Sequence, residues 1–91
     1  MQFRLVSLYG GSDIVVDDGA LIVGRDPRCD ARIESMKVSR RHCSLSPEAC
    51  GIVIRDLGST NGVRINGEAV CSGRLRPGDE LMIADAAYVL R

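Results

Sequence analysis

Three short stretches of this sequence carry groups able to hold an anion: Gly24-Arg25, Ser39-Arg40-Arg41-His42 and Ser59-Thr60-Asn61-Gly62. Together they supply guanidinium groups, hydroxyls, an amide and backbone N–H groups. An arginine fork matches the geometry of a phosphate. Ser59, Thr60 and Asn61 can satisfy their own backbone locally, so the stretch from Leu57 to Gly62 can hold a fixed shape without secondary structure. Apart from His42, the set has no obvious acid or base. A hydrolase using Ser39 or Ser59 with His42 and Asp56 would need the imidazole to touch both nucleophile and orienter. The spacing gives no support for that, and no nucleophile elbow is present. The chemistry on offer is reception of a doubly charged tetrahedral oxyanion. Each stretch also has a plainer reading: a turn, a surface arginine, a histidine bracing a loop.

These stretches must be brought together by a scaffold of strands. Gln2–Tyr9, Asp13–Val16 and Ala20–Arg25 read as strands separated by Gly10-Gly11-Ser12 and Asp17-Asp18-Gly19 turns, with the first two expected to form a hairpin. Ala31–Glu34 reads as a short strand around Ile33. In His42–Ser46, Cys43 and Leu45 alternate with His42 and Ser44, as in a half-buried strand. Pro47–Gly51 reads as a turn, and Ile52 and Ile54 share a face of the strand that follows. Val63–Ile65 and Glu68–Val70 flank Asn66-Gly67, the strongest short hairpin signal. Arg76-Pro77-Gly78-Asp79 is a further turn, and Glu80–Ala84 and Ala87–Arg91 close the chain. No window holds a 3.6-residue period. Short strands at this spacing predict an all-β sandwich or barrel, in which the loops at one end cluster in space.

The chain has 91 residues and reads as one domain spanning 1–91, whether a whole protein or an excised piece. Its core is modest, with about 60–65% of the surface buried. Formal net charge is zero, so the surface as a whole should not attract nucleic acid or anionic membranes. Aromatics are only 3%, too few for a base-stacking platform. The charge is unevenly spread, however. Residues 24–42 hold Arg25, Arg28, Arg32, Lys37, Arg40 and Arg41 against Asp26, Asp30 and Glu34, while the flanking segments are slightly acidic. A basic segment on a neutral body suits one anionic group better than a long phosphate backbone.

Cys29, Cys43, Cys50 and Cys71 lack zinc spacing. Free thiols in a reducing compartment are the simplest account. No segment approaches the ~20 apolar residues of a membrane span, and the opening residues lack the apolar run of a signal peptide. The cytoplasm is the expected location.

The residues also carry a resemblance. Leu21-Ile22-Val23-Gly24-Arg25, Cys29-Asp30 with Ile33, Val38-Ser39-Arg40-Arg41-His42, Asp56-Leu57-Gly58-Ser59-Thr60-Asn61-Gly62, Ile65-Asn66-Gly67 and Leu75-Arg76-Pro77-Gly78-Asp79-Glu80-Leu81 together resemble the forkhead-associated (FHA) domain, a phosphothreonine-binding module. The match covers nearly the whole chain. It implies an all-β sandwich of about 11 short, mostly antiparallel strands in two sheets, with the peptide bound at loop tips at one end. Arg25 would hold the phosphate and Ser39 would donate its hydroxyl to it. Thr60 would line the site, Asn61 would bond the peptide backbone, and Arg40 and Ser59 would belong to the same contact set. Gly24, His42 and Gly62 would shape the loops. The partner would be a protein phosphorylated by a Ser/Thr kinase. No catalysis, cofactor, metal, nucleic acid, membrane or small-molecule substrate is expected. Arg28, Arg32, Lys37 and Arg41 are expected to face solvent. Ala84 stands where the family often has glycine, a departure expected to bear on the final turn and leave the site alone. A phospho-independent structural or oligomerisation sandwich is the alternative.

Overall fold

The structure, a computed structural model, describes residues 2–91. Eleven strands run in chain order: β1 (Phe3–Ser7), β2 (Ile14–Val16), β3 (Leu21–Gly24), β4 (Ala31–Arg32), β5 (Cys43–Glu48), β6 (Gly51–Asp56), β7 (Val63–Ile65), β8 (Glu68–Val70), β9 (Ser72–Leu75), β10 (Glu80–Ile83) and β11 (Ala86–Leu90). One sheet has the order β2-β1-β11-β10-β7-β8 and the other β4-β3-β5-β6-β9. Every pair is antiparallel except β3 with the two-residue β4. The expected sandwich forms.

Alternation along the strands builds its core. Phe3 and Leu5 of β1, Cys43 and Leu45 of β5, and Ile52 and Ile54 of β6 point inward. They meet Leu81 and Ile83 of β10 and Leu90 of β11. Each apolar side chain so buried contributes about 1.5–3 kcal/mol. The Asn66-Gly67 hairpin is present, with φ of +51° and +84°, the left-handed pair that such a turn demands. The β1–β2 hairpin pairs Phe3 with Val16 and Leu5 with Ile14.

Two features differ from the sequence expectation. Strand β9 lies in a stretch to which the sequence reading assigned no element. It is an edge strand in which Leu75 alone is a large buried side chain, and its backbone does the rest by pairing with β6. A Cβ at residue 73 would come within 2.7 Å of Ile65 Cδ1, the end of a flexible side chain that would have to shift. A polar, glycine-containing edge strand leaves no alternation to read. Second, β5 runs through Pro47 to Glu48, beyond the expected end at Ser46. Proline is tolerated because the β3 ladder stops at Leu45, and only β6 pairs with the strand beyond it.

The β10–β11 turn is where the departure at Ala84 matters. Ile83 pairs with Ala86, leaving a two-residue loop whose first member, Ala84, has φ of +53°. An L-residue in that conformation costs about 1–2 kcal/mol, partly offset by the greater chain entropy that glycine would lose on folding. Ala84→Gly is therefore expected to stabilise the fold by about 0.5–1 kcal/mol, a rise in Tm of about 2–8 °C. A thermal melt with unchanged or lower Tm would show that the turn is not strained.

Candidate functional site

Strand direction decides what the apex contains. The β3–β4 loop, the β4–β5 loop, the β6–β7 loop, the β1–β2 loop and the Ala84-Asp85 turn all emerge at one end of the sandwich. The three polar stretches singled out in the sequence lie in the first three of these.

The first two loops are locked together at Gly24. A Cβ on this buried residue would overlap the Arg40 carbonyl oxygen and sit 2.7 Å from the Arg40 carbonyl carbon. With only hydrogen there, the backbones close up. Arg25 N–H donates to Ser39 O at 3.0 Å and Asp26 N–H to Arg40 O at 3.2 Å. The Cys29 thiol also donates to Arg40 O, at 3.1 Å. Arg25 then turns its Nε to the Val38 carbonyl at 3.0 Å. That bond fixes the guanidinium plane and leaves its terminal nitrogens available. Arg25 lines a 560 Å³ trough together with Arg32 and Arg40.

The second and third loops meet at Ser39. Its Oγ accepts from Thr60 N–H at 3.1 Å. A hydroxyl that accepts still has its own proton to donate. Asn61 crosses to the Lys37 carbonyl through Nδ2 at 2.7 Å, leaving its carbonyl oxygen and second N–H. Ser59 is used differently. Its Oγ accepts from Gly62 N–H at 2.9 Å, and its own N–H donates to Asp56 Oδ1 at 3.0 Å. The Ser59 side chain thus braces its loop, and Ser39, Thr60 and Asn61 stand beside the trough without lining it.

His42 ties all of this to the core. It is fully buried. Nδ1 accepts from Ser39 N–H at 3.0 Å, so the proton is on Nε2, which donates to the Gly62 carbonyl at 2.8 Å. One ring thereby spans the second and third loops. Both nitrogens are held by backbone, and Asp56 serves the Ser59 N–H. The Ser-His-Asp arrangement weighed from the sequence is not assembled.

The trough sets three arginines, Arg25, Arg32 and Arg40, against two carboxylates, Asp26 and Glu34. The Arg28 guanidinium holds the Asp26 carboxyl below the usual carboxylate range and is itself turned to solvent. Arg32 is exposed, as expected, and also donates from Nε to the Arg25 carbonyl at 2.9 Å and pairs with Glu34 at 2.6 Å. Lys37 and Arg41 are exposed as expected. Burial pushes the Cys43 thiol up to about 12, which suits a core residue and not a nucleophile. Burial also raises the Cys29 thiol. Among the described residues no His, Cys, Asp or Glu cluster could hold a metal.

The positions that sequence reasoning missed are mostly backbone. The carbonyls of Lys37 and Val38 anchor Asn61 and Arg25, and residue type does not advertise a carbonyl. One signal was there: Val38 is a lone β-branched residue in a polar loop, and it proves 1% exposed. It plugs the loop into the core and so positions its own carbonyl.

Comparison with known proteins places this geometry. The FHA domain family model matches residues 21–84. The glycogen accumulation regulator GarA of Mycolicibacterium smegmatis is 37% identical over 73 residues, covering 80% of this chain and 46% of that protein. An oxoglutarate dehydrogenase inhibitor of Corynebacterium jeikeium is 34% identical, covering 80% of this chain and 51% of that protein. The chain thus spans about half the length of these curated relatives. Among solved structures, the FHA domain of a Chlamydia trachomatis protein superposes with a TM-score of 0.88 at 29% identity, covering 99% of this chain and 96% of that one. Mycobacterium tuberculosis EmbR, in complex with a low-affinity phosphopeptide, superposes at 0.90 with 27% identity, over 99% of this chain and 24% of that one. A sandwich of this topology, with its polar loops gathered at one end and a family match across the strands that carry them, makes this chain a member of the FHA domain family.

Proposed function

We propose that residues 1–91 act as one non-catalytic signalling module that binds phosphothreonine in partner proteins. The observation that carries this reading is the pinned pair at the apex. Arg25 is oriented by Val38 with its terminal nitrogens uncommitted, and Ser39 is oriented by Thr60 with its proton uncommitted. Preorganised donors of both kinds suit a phosphate dianion. Arg25 takes two phosphate oxygens and Ser39 a third. Thr60 flanks the phosphate and the threonine methyl, and Asn61 reads the neighbouring peptide backbone. Arg40 lines the outer wall. Gly24, His42 and Gly62 set the loop spacing, and Ser59 contributes by bracing Gly62. The EmbR complex with a phosphopeptide supports the assignment, as do structures described for phosphothreonine-dependent FHA domain interactions.

The partners are proteins modified by a Ser/Thr kinase. The absence of a helix long and apolar enough to cross a membrane among the described residues is compatible with action in the cytoplasm. Three or four charge-assisted hydrogen bonds of about 1.5–3 kcal/mol each, less the cost of ordering a peptide, correspond to micromolar affinity.

Calorimetric titration with one peptide in phosphothreonine, phosphoserine and unmodified forms tests the reading. The phosphothreonine form is expected to bind at micromolar Kd, the phosphoserine form several-fold more weakly for want of a methyl worth about 1 kcal/mol, and the unmodified form not at all. Affinity is held while the phosphate is dianionic. It falls as pH drops through about 6, where the second phosphate proton returns. Equal affinity for the unmodified peptide would instead favour the phospho-independent sandwich.

A further inference from the structure

A second trough, of 530 Å³, opens at the apex beside the first. The two adjoin, since Arg32, Glu34 and Ser35 line both. Its far wall is Tyr9 on the β1–β2 loop, with Tyr88 of β11 also lining it. Tyr88 is buried but Tyr9 is 78% exposed, and its neighbour Leu8 is 41% exposed. Tyr9 is the one exposed aromatic ring among the described residues. A rigid, amphipathic ring standing out of a small domain is the type of residue that anchors protein contacts.

The charge of the second trough is opposite to that of the first. The first sets Arg25, Arg32 and Arg40 against Asp26 and Glu34, an excess of one positive charge. In the second, Arg32 is already spent on Glu34 and on the Arg25 carbonyl. Asp85 remains. It accepts only the Ser35 hydroxyl, at 2.8 Å, and pairs with no cation among the described residues. A carboxylate with no cation partner among the described residues thus lines the same trough as an exposed ring.

We propose that this second trough seats an outlying stretch of the same phosphorylated partner, carrying an apolar side chain for Tyr9 and a lysine or arginine for Asp85. The proposal rests on the phosphothreonine reading of the first trough. A partner held in the positive trough by its phosphate has the adjoining negative one within reach, where a cation is favoured. The modification would then select among proteins by state, and the second trough by sequence. Outlying residues gain from being tethered, since their contact becomes intramolecular once the phosphate is bound.

The test uses three phosphothreonine peptide sets. One is short, and the others add about ten randomised residues before or after it, an extended reach of roughly 35 Å, comparable with the 31 Å long dimension of the domain. One extended arm is expected to enrich for an apolar residue together with Lys or Arg and to bind about ten-fold tighter than the short peptide, the scale of one well-placed tyrosine contact. Tyr9→Ala, and separately Asp85→Asn, which retains an acceptor for Ser35, should each remove most of that gain while leaving short-peptide affinity unchanged. No gain in either arm, or a gain that survives both substitutions, overturns the proposal. Failure of the short peptide to bind at all would overturn the phosphothreonine reading, and this one with it.

Discussion

Arg25→Ala is expected to abolish phosphothreonine-peptide binding while leaving the fold intact. The substitution removes a bidentate charge-assisted contact, about 3–6 kcal/mol at roughly 1.5–3 kcal/mol per bond, so a micromolar Kd should weaken by more than about 100-fold. Little stability goes with it. Arg25 is half-buried at the apex, and within the domain its side chain makes one bond, to the Val38 carbonyl, which water can replace at the rim. Arg25→Lys separates charge from shape. Lysine keeps the cation but loses the fork and cannot reproduce the Nε bond that orients it, so about a ten-fold loss is expected in place of abolition. The measurement is a titration of each variant with the same peptide, beside its circular dichroism spectrum and melting curve. An Arg25→Ala protein that melts normally and still binds at wild-type affinity would remove this residue, and the site built around it, from consideration.

Gly24→Ala should act in the reverse order, on the fold first and on binding through it. The residue has an ordinary backbone conformation, so the difficulty is one of space. The added Cβ lands on the Arg40 carbonyl group and within 3.0 Å of the Ser39 carbonyl oxygen, and both obstacles are backbone, which cannot rotate aside. The β4–β5 loop must move off β3. That breaks the bonds from Arg25 N–H to Ser39 and from Asp26 N–H to Arg40 and withdraws the Cys29 thiol from its acceptor. Overpacking of this kind costs about 3 kcal/mol, a drop in Tm of about 12–24 °C for a domain of this size. Any folded fraction should bind at least about ten-fold more weakly, since Arg25 and Ser39 no longer keep their spacing. Gly19→Ala is the matched control. Its Cβ would meet nothing within 4 Å, and Tm should be unchanged. A Gly24→Ala protein as stable as the Gly19→Ala protein would mean that the two loops do not approach as closely as described.

The contrast between these two residues shows how much of the site a reader of the chain could see. Arg25 was legible by type, because a guanidinium at the end of an apolar strand names its own chemistry. Gly24 was expected to shape a loop; that a carbonyl sixteen residues on occupies the place of its side chain could not be seen. His42 was expected to brace a loop. Its choice of Ser39 N–H and Gly62 O, hence the position of its proton, required coordinates. Ser59 and Thr60 are adjacent and chemically alike, yet one hydroxyl folds into its loop and the other residue gives its N–H to Ser39. Nothing in the order of the letters separates them.

The strands divide in the same way. Where burial alternates, as in β1, β5 and β6, and where a turn needs left-handed backbone, as at Asn66-Gly67, local physics alone writes the structure, and residue order was sufficient. It also established the neutral body, the basic middle segment and the set of hydroxyls and guanidinium groups that make an anion receptor the natural chemistry. Strand β9, the passage of β5 through Pro47 and the left-handed Ala84 were settled by the neighbours each segment met, because an edge strand or a tight turn owes its existence to the sheet it joins. The same holds for the apex. Which carbonyl holds Arg25, which N–H holds Ser39, and the junction of a positive trough with a negative one at Ser35 and Asp85 are relations between loops far apart along the chain, and only packing two sheets face to face brings them within hydrogen-bond distance.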